Sequence, residues 1–255
     1  MHETTLEVNL NAVVANLNYY RAFMKPETKL VCMIKADGYG AGAVEIAKTL
    51  QDHRVDYLAV AVADEGVTLR KNGITSNIMI MNPEMTAFKT MFDYDLEPEV
   101  YSFRLLDALI KAAEKEGVTG FPVHIKLDTG MHRMGFDPEN DMEELIGKLK
   151  HQNAIIPRSV FSHFVGSDDD SSMTSLPISL NSSIREADSC RLPSTIRSCA
   201  ISAIRQVSST SRSAVGYVPP GSRTLWHQLP QQQDHQLREH PEDYHSPDAQ
   251  REGGR

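Results

Sequence analysis

Six polar residues stand at or just past the ends of apolar runs, and their types suit chemistry on a carbonyl compound. Lys35 closes the run Leu30-Val31-Cys32-Met33-Ile34, and a glycine-broken turn carrying Tyr39 follows it. Lys126 and Asp128 end the run Val123-His124-Ile125, with Arg133 in the loop beyond, and His163 ends Val160-Phe161-Ser162. An amine at the C-terminal mouth of a barrel strand is placed to meet a carbonyl cofactor. Taken singly, each residue has a plainer explanation. A lysine ending a strand is most often a solvated tip, Lys126 could form a surface ion pair with Asp128, and His163 could be a hydrogen-bonded core histidine. Their recurrence at the ends of three separate strands is what points to one site.

The elements that must position these residues alternate between strand-like and helix-like segments over residues 6–170, the pattern of an α/β fold with parallel strands. Asn9 to Phe23 places Leu10, Val13, Val14, Leu17 and Tyr20 at helical spacing. Strands are expected at Leu30–Ile34, Asp56–Val62, Asn77–Met81, Leu96–Val100, Pro122–Leu127 and Arg158–Phe164. Helices are expected at Gly42–Leu50, Asp64–Lys71 with a Gly73 stop, after Pro83-Glu84, at Ser102–Glu116 before Gly117, and at Asp141–Lys150. Six such units in about 140 residues have the rhythm of a TIM-type barrel, which needs eight. The rival is an open doubly wound sheet, but no glycine-rich phosphate loop of the Rossmann or P-loop kind follows any strand.

Composition narrows the function classes. A net charge of −8 argues against a general nucleic-acid binder. No apolar run is long enough for a transmembrane helix, and the first residues lack the basic and apolar regions of a signal peptide. Cys32, Cys190 and Cys199 lack metal-like spacing and suggest a reducing compartment, so a cytoplasmic location without membrane or metal is the expectation.

Two motifs resemble those of alanine racemases: Lys35-Ala36-x-x-Tyr39-Gly40, and Lys126-Leu127-Asp128-Thr129-Gly130-Met131-x-Arg133-x-Gly135. Ser162-His163-Phe164 is similar to that family's Thr/Ser-His-Phe segment. The likeness covers roughly residues 6–170, and its opening resembles the racemase half of bacterial ligase–racemase fusions. Asp37-Gly38 departs from the residues the family usually carries there. The resemblance implies the α/β fold of pyridoxal-phosphate fold type III, here an incomplete (β/α)8 barrel of about six units. Lys35 would carry pyridoxal 5'-phosphate as a Schiff base and act as the base for one alanine enantiomer. Tyr39 would hydrogen-bond the cofactor phosphate. Arg133 would sit near the phenolic oxygen, held by Lys126, which many family members carbamylate. His163 would orient the arginine that faces the pyridine nitrogen.

Residues 171–255 read differently. All eleven lysines and all eight phenylalanines precede residue 170, whereas 171–255 hold sixteen serines, nine arginines and seven prolines. Hence 1–170 reads as a partial cofactor-binding barrel, and 171–255 as a Ser/Arg/Pro/Gln-rich tail with no family motif and no C-terminal β domain. Codons permitted for Ala203 to Arg212, read from the third base of Ala203, can spell NSAGIEHFP. Those for Pro219 to Gln228, read from the second base, can spell RLGVGLYGI, and those from Gln231 to Gln236 can spell NNKTI. The three come in family order, the first two holding missing family motifs, which implies a gene translated out of frame after about Asp170; the first and second lie in different frames, so more than one shift is implied. A genuine disordered tail is the alternative, and its lack of lysine counts against it.

The function expected from the resemblance is interconversion of L- and D-alanine for peptidoglycan, impaired in this chain because it retains only the Lys35 base. The alternative is a barrel that binds pyridoxal phosphate without catalysis. An aggregating product is a third possibility, because six strands cannot close a barrel. The homodimer expected of the family is not carried over to a chain without the β domain.

Overall fold

In the computed structural model, residues 5–24, 28–163 and 225–227 are described, the last three for their backbone alone. The remainder of the 171–255 tail, with Cys190, Cys199, the segments read out of frame apart from Leu225–His227, and Phe164, lies outside the described residues.

The expected helices form where their capping residues stand. Helix α1 spans Leu10–Phe23, and the Asn9 side chain accepts from the Asn11 and Ala12 amides, satisfying donors that have no partner within the helix. Helix α6 spans Phe103–Glu116. Ser102 caps its first turn, and Gly117 ends it at φ 70°, a left-handed conformation natural to glycine. Leu105, Leu106, Leu109 and Ala113 form its buried stripe. Strands β1 (Leu30–Met33), β2 (Tyr57–Val60), β3 (Asn77–Ile80), β4 (Leu96–Val100) and β5 (Phe121–Leu127) follow the apolar runs. Between them lie α2 (Lys35–Tyr39), α3 (Ala43–Asp52), α4 (Ala63–Lys71), a 3-10 turn at Met85–Ala87 and α5 (Phe88–Asp93), with α7 (Met142–Lys150) after β5.

The first five strands begin and end within two residues of the expectation, and two features depart from it further. Strand β6 begins at Ile155 and ends at Ser162, so His163 stands just past it. Pro157 obscures that beginning, because a proline cannot donate to a strand ladder. It is accommodated beside a register shift between Val123 and His124 on the neighbouring strand. A further strand, β7 (Leu225–His227), pairs parallel with β1 inside the segment expected to be tail, and occupies an edge that would otherwise be unpaired.

The strands lie in the order β6-β5-β4-β3-β2-β1-β7, all parallel. The first six form half of a TIM-like barrel with helices outside. Such strands are buried on both faces, which is why they read as unbroken apolar runs. The outward set, including Cys32, Leu58, Val60, Ile78, Ile80 and Val100, packs under the helices. The inward set has an apolar centre of Val31, Tyr57, Ala59, Met79 and Phe161. Every buried polar side chain of the described residues is on or beside it: Glu97, Glu99, His124, Lys126 and Ser159.

At the N-terminal end of the barrel interior these groups satisfy one another. Glu97 Oε2 accepts from the Tyr57 hydroxyl at 3.0 Å and lies 2.9 Å from His124 Nε2. His124 Nδ1 lies 2.7 Å from Ser159 Oγ, and Arg158 donates to the Tyr57 hydroxyl at 3.3 Å. Burial pushes the imidazole of His124 down, so the ring is neutral, donating to Glu97 and accepting from Ser159. This floor is a closed network.

Candidate active site at the barrel mouth

Lys35 follows β1 and is half-buried at the C-terminal end of the sheet. The turn it begins is left-handed: φ is 52° at Ala36, 52° at Asp37, 63° at Gly38 and 57° at Tyr39. Non-glycine residues disfavour this region by roughly 1–2 kcal/mol each, so something outside the turn must hold it. Glu65, in the first turn of α4, supplies that constraint. One of its carboxylate oxygens accepts from Ala36 N at 2.7 Å and the other from Ala61 N at 2.6 Å, tying the ends of β1 and β2 together. Asp37 Oδ1 accepts from Ala43 N at 2.8 Å, fastening the turn to α3. A side chain at Gly38 would press on Ile46 and the Ala43 backbone. Tyr39 is left 38 % exposed at the rim.

The second motif folds into a stitched loop. Asp128 accepts from Gly130 N at 3.0 Å and His132 N at 2.9 Å. Burial pushes its carboxyl up, but the backbone donors of His132 and Gly130 more than reverse this and hold it below the usual range. Phe136 returns beside β5, donating to Lys126 O and accepting from Asp128 N, each at 2.9 Å. Gly135 lies at φ 143°, and a Cβ there would overlap the Asp128 backbone nitrogen, so the loop closes only with glycine. Thr129 Oγ1 lies 2.6 Å from Ser162 Oγ, which donates to Leu127 O, pinning the loop to the end of β6. Arg133 is carried, exposed, on this loop.

Lys126 points into the barrel and makes no surface pair with Asp128. Its Nζ donates to Glu99 Oε1 at 3.0 Å, with the lysine 4 % and the glutamate 0 % exposed. Burial pushes the Glu99 carboxyl up to about 7, while the charges of Lys126 and Arg133 oppose the rise. His163 is exposed at the rim and is not a core histidine. Desolvation and the charges of Arg133, Lys126 and Lys35 push its imidazole down. Lys35, Lys126, Arg133 and His163 therefore share one electrostatic neighbourhood, with Tyr39 on the turn that Lys35 begins. Such a mouth can receive a phosphorylated or carboxylated carbonyl compound and offer it an amine.

Two residues that shape this mouth, Glu65 and Glu99, are not singled out by the sequence. Glu65 reads there as an ordinary acidic residue in a first helical turn. Glu99 had a signal: Leu96-Glu97-Pro98-Glu99-Val100 puts two glutamates on one face of a strand between apolar residues.

The alanine racemase N-terminal domain family model matches residues 8–221. The alanine racemase of Clostridium kluyveri is 42% identical over 164 residues, covering 64% of this chain and 41% of that protein. That of Methanococcus maripaludis is 34% identical over 170 residues, covering 66% of this chain and 45% of its own length. The chain thus spans less than half the length of these relatives. The structure of alanine racemase from Clostridium difficile 630 in complex with cycloserine is similar at a TM-score of 0.67 and 32% identity, over 76% of this chain and 55% of that one.

Proposed function

Because the chain belongs to the alanine racemase N-terminal domain family, we propose that its barrel mouth holds pyridoxal 5'-phosphate and exchanges the α-proton of alanine. The donor set fits that group. Lys35 offers an amine beside three other basic side chains, and Tyr39 offers a hydroxyl on the same strained turn. The observation that carries the reading is geometric: Lys35 begins a left-handed turn that Glu65 clamps at the end of β1, while Lys126, near the same end of β5, is buried against Glu99. Bound pyridoxal phosphate would supply an electron sink that makes the α-hydrogen of an amino acid removable.

The chain's own residues divide the remaining work. Lys35 holds the cofactor and moves the α-proton on one face. Tyr39 would hydrogen-bond the phosphate, and Arg133, held by Lys126, would sit near the phenolic oxygen. His163 would orient the arginine that faces the pyridine nitrogen. Glu65 fixes the turn that aims Lys35. Racemisation also needs a base on the opposite face, and Lys35 is the one base that the described residues assign. We propose that this chain turns over alanine slowly and that the product supplies cell-wall precursors.

The test is titration of the full chain with pyridoxal phosphate, followed by chiral analysis of product from L-alanine. A saturable visible absorbance band, abolished by Lys35→Ala, is the expected result, and its absence overturns the site. Normal turnover overturns the expected impairment. A band with no D-alanine favours the non-catalytic cofactor-binding barrel.

A further inference from the structure

Strand β4 sends two glutamates into the barrel, and they are not equally served. Glu97 meets a tyrosine, a histidine and an arginine. Glu99, fully buried, has one partner: Oε1 accepts from Lys126, while Oε2 is buried without any hydrogen-bond partner. It is the one buried side-chain oxygen or nitrogen so left among the described residues. Buried polar atoms are overwhelmingly partnered in folded proteins, so an orphan aimed into a candidate site marks a place for a donor. Lys126 carries three donors, but its Nζ reaches Oε1 and leaves Oε2 without a bond, lying otherwise 5.7 Å from the Phe161 ring centroid. Arg133 is the other cation whose charge acts on Glu99. It is exposed on the stitched loop and donates no hydrogen bond to any described residue.

We propose that Glu99 is a positioning residue, the built-in anion of the mouth: Oε2 accepts from the Arg133 guanidinium, and Oε1 keeps Lys126 as an unmodified ammonium. This deepens the proposed cofactor site and rests on it for the role of Arg133. The anion expected from carbamylation of Lys126 is then already present as a side chain. Carbamylation joins a neutral lysine amine to carbon dioxide, forming an N–C bond and releasing one proton. Its product would set a second anion against a buried carboxylate, and like charges sharing one buried site disfavour each other strongly. Replacing Glu99 by a neutral group removes that barrier and leaves Arg133 without an anion.

Carbon-13 NMR of the full chain equilibrated with labelled bicarbonate tests this without cofactor. The native protein should show no lysine carbamate resonance. Glu99→Gln should gain one, and Glu99→Gln with Lys126→Arg should lose it again. A carbamate in the native protein that Lys126→Arg removes overturns the proposal. So does its absence from a Glu99→Gln protein with native circular dichroism; if that variant does not fold, the native spectrum decides alone. In a pyridoxal phosphate titration, Glu99→Gln and Arg133→Gln should each weaken binding at least about tenfold, and the double variant no further. Additive losses overturn the Glu99–Arg133 contact. If the native chain binds no cofactor, the site reading fails while the carbamate result still judges Glu99.

Discussion

Glu97 and Glu99 stand two residues apart on β4, face the same barrel interior and are both almost inaccessible to water, yet they serve opposite ends of it. The floor around Glu97 is complete: tyrosine, histidine, serine and arginine partner one another at ordinary hydrogen-bond distances. The mouth around Glu99 is unfinished, with an orphaned carboxylate oxygen, a left-handed turn of non-glycine residues and a concentration of positive charge. Both are polar clusters in an apolar fold. A satisfied network stores its energy in stability, whereas strain and unmet hydrogen-bonding capacity persist where a ligand is to complete them. The difference singles out the mouth as the end proposed to hold the cofactor.

The largest effect expected of this contrast is at the floor. Glu97→Ala should destabilise the protein by about 2–5 kcal/mol in urea denaturation, because it leaves neutral buried donors on Tyr57 and His124 unsatisfied. A loss below about 1 kcal/mol would show the floor to be less cooperative than its geometry implies. Lys126 and Glu99, by contrast, should show their importance first in cofactor affinity.

Next in size is an opposition in pH dependence. The Glu99 carboxyl is raised from 4.5 to about 7 in the folded protein, so the native state binds more protons than the unfolded chain between those values. Stability from this group is full below about 4.5 and is lost as pH rises through about 7. The loss is on the order of 2–3 kcal/mol. Glu99→Gln should abolish that alkaline loss. His124 works in the other sense: its folded value is lowered by burial, so stability falls as pH drops below the ordinary 6.5 of an unfolded histidine. Denaturation midpoints across pH 4 to 9 would separate the two. An unchanged profile in Glu99→Gln would mean that Arg133 already serves Oε2 in the cofactor-free chain.

Much of the framework behind this contrast is legible in the sequence. Parallel strands buried on both faces announce themselves as apolar runs, and Asn9, Ser102 and Gly117 mark helix ends by chemistry that acts locally. Lys35, Tyr39, Lys126, Arg133 and His163 are likewise visible at or just beyond strand ends. What eludes the sequence depends on distant partners. Alanine does not announce a left-handed turn, since Ala36 adopts one because Glu65 holds it from α4. The Lys126 partner comes from β4, 27 residues away, and not from the neighbouring Asp128. The start of β6 was hidden because Pro157 is tolerated only where the ladder shifts register.

Glu65 offers a smaller test, directed at strain. Glu65→Gln keeps an acceptor for one of the two amides but loses the charge, and should cost about 1–2 kcal/mol of stability. If the turn aims Lys35, affinity for pyridoxal phosphate should fall more than that stability loss alone accounts for. Equal falls would reduce Glu65 to a structural clasp.

The smallest expected effect concerns the pin between loop and strand. Thr129→Val keeps shape but removes the hydroxyl 2.6 Å from Ser162 Oγ, and Ser162 retains its own bond to Leu127 O. Global stability should fall by only about 1 kcal/mol, since one partly buried neutral hydrogen bond contributes about that much. The loop between β5 and Phe136 carries Arg133, so its freedom bears on the mouth and not on the floor. Hydrogen exchange should accelerate at Gly130 and His132, whose amides the Asp128 carboxylate holds, and remain unchanged on β4 and at His124 on β5. Acceleration spreading to His124 would mean that mouth and floor unfold as one unit, and the contrast between the two ends would then be one of chemistry alone.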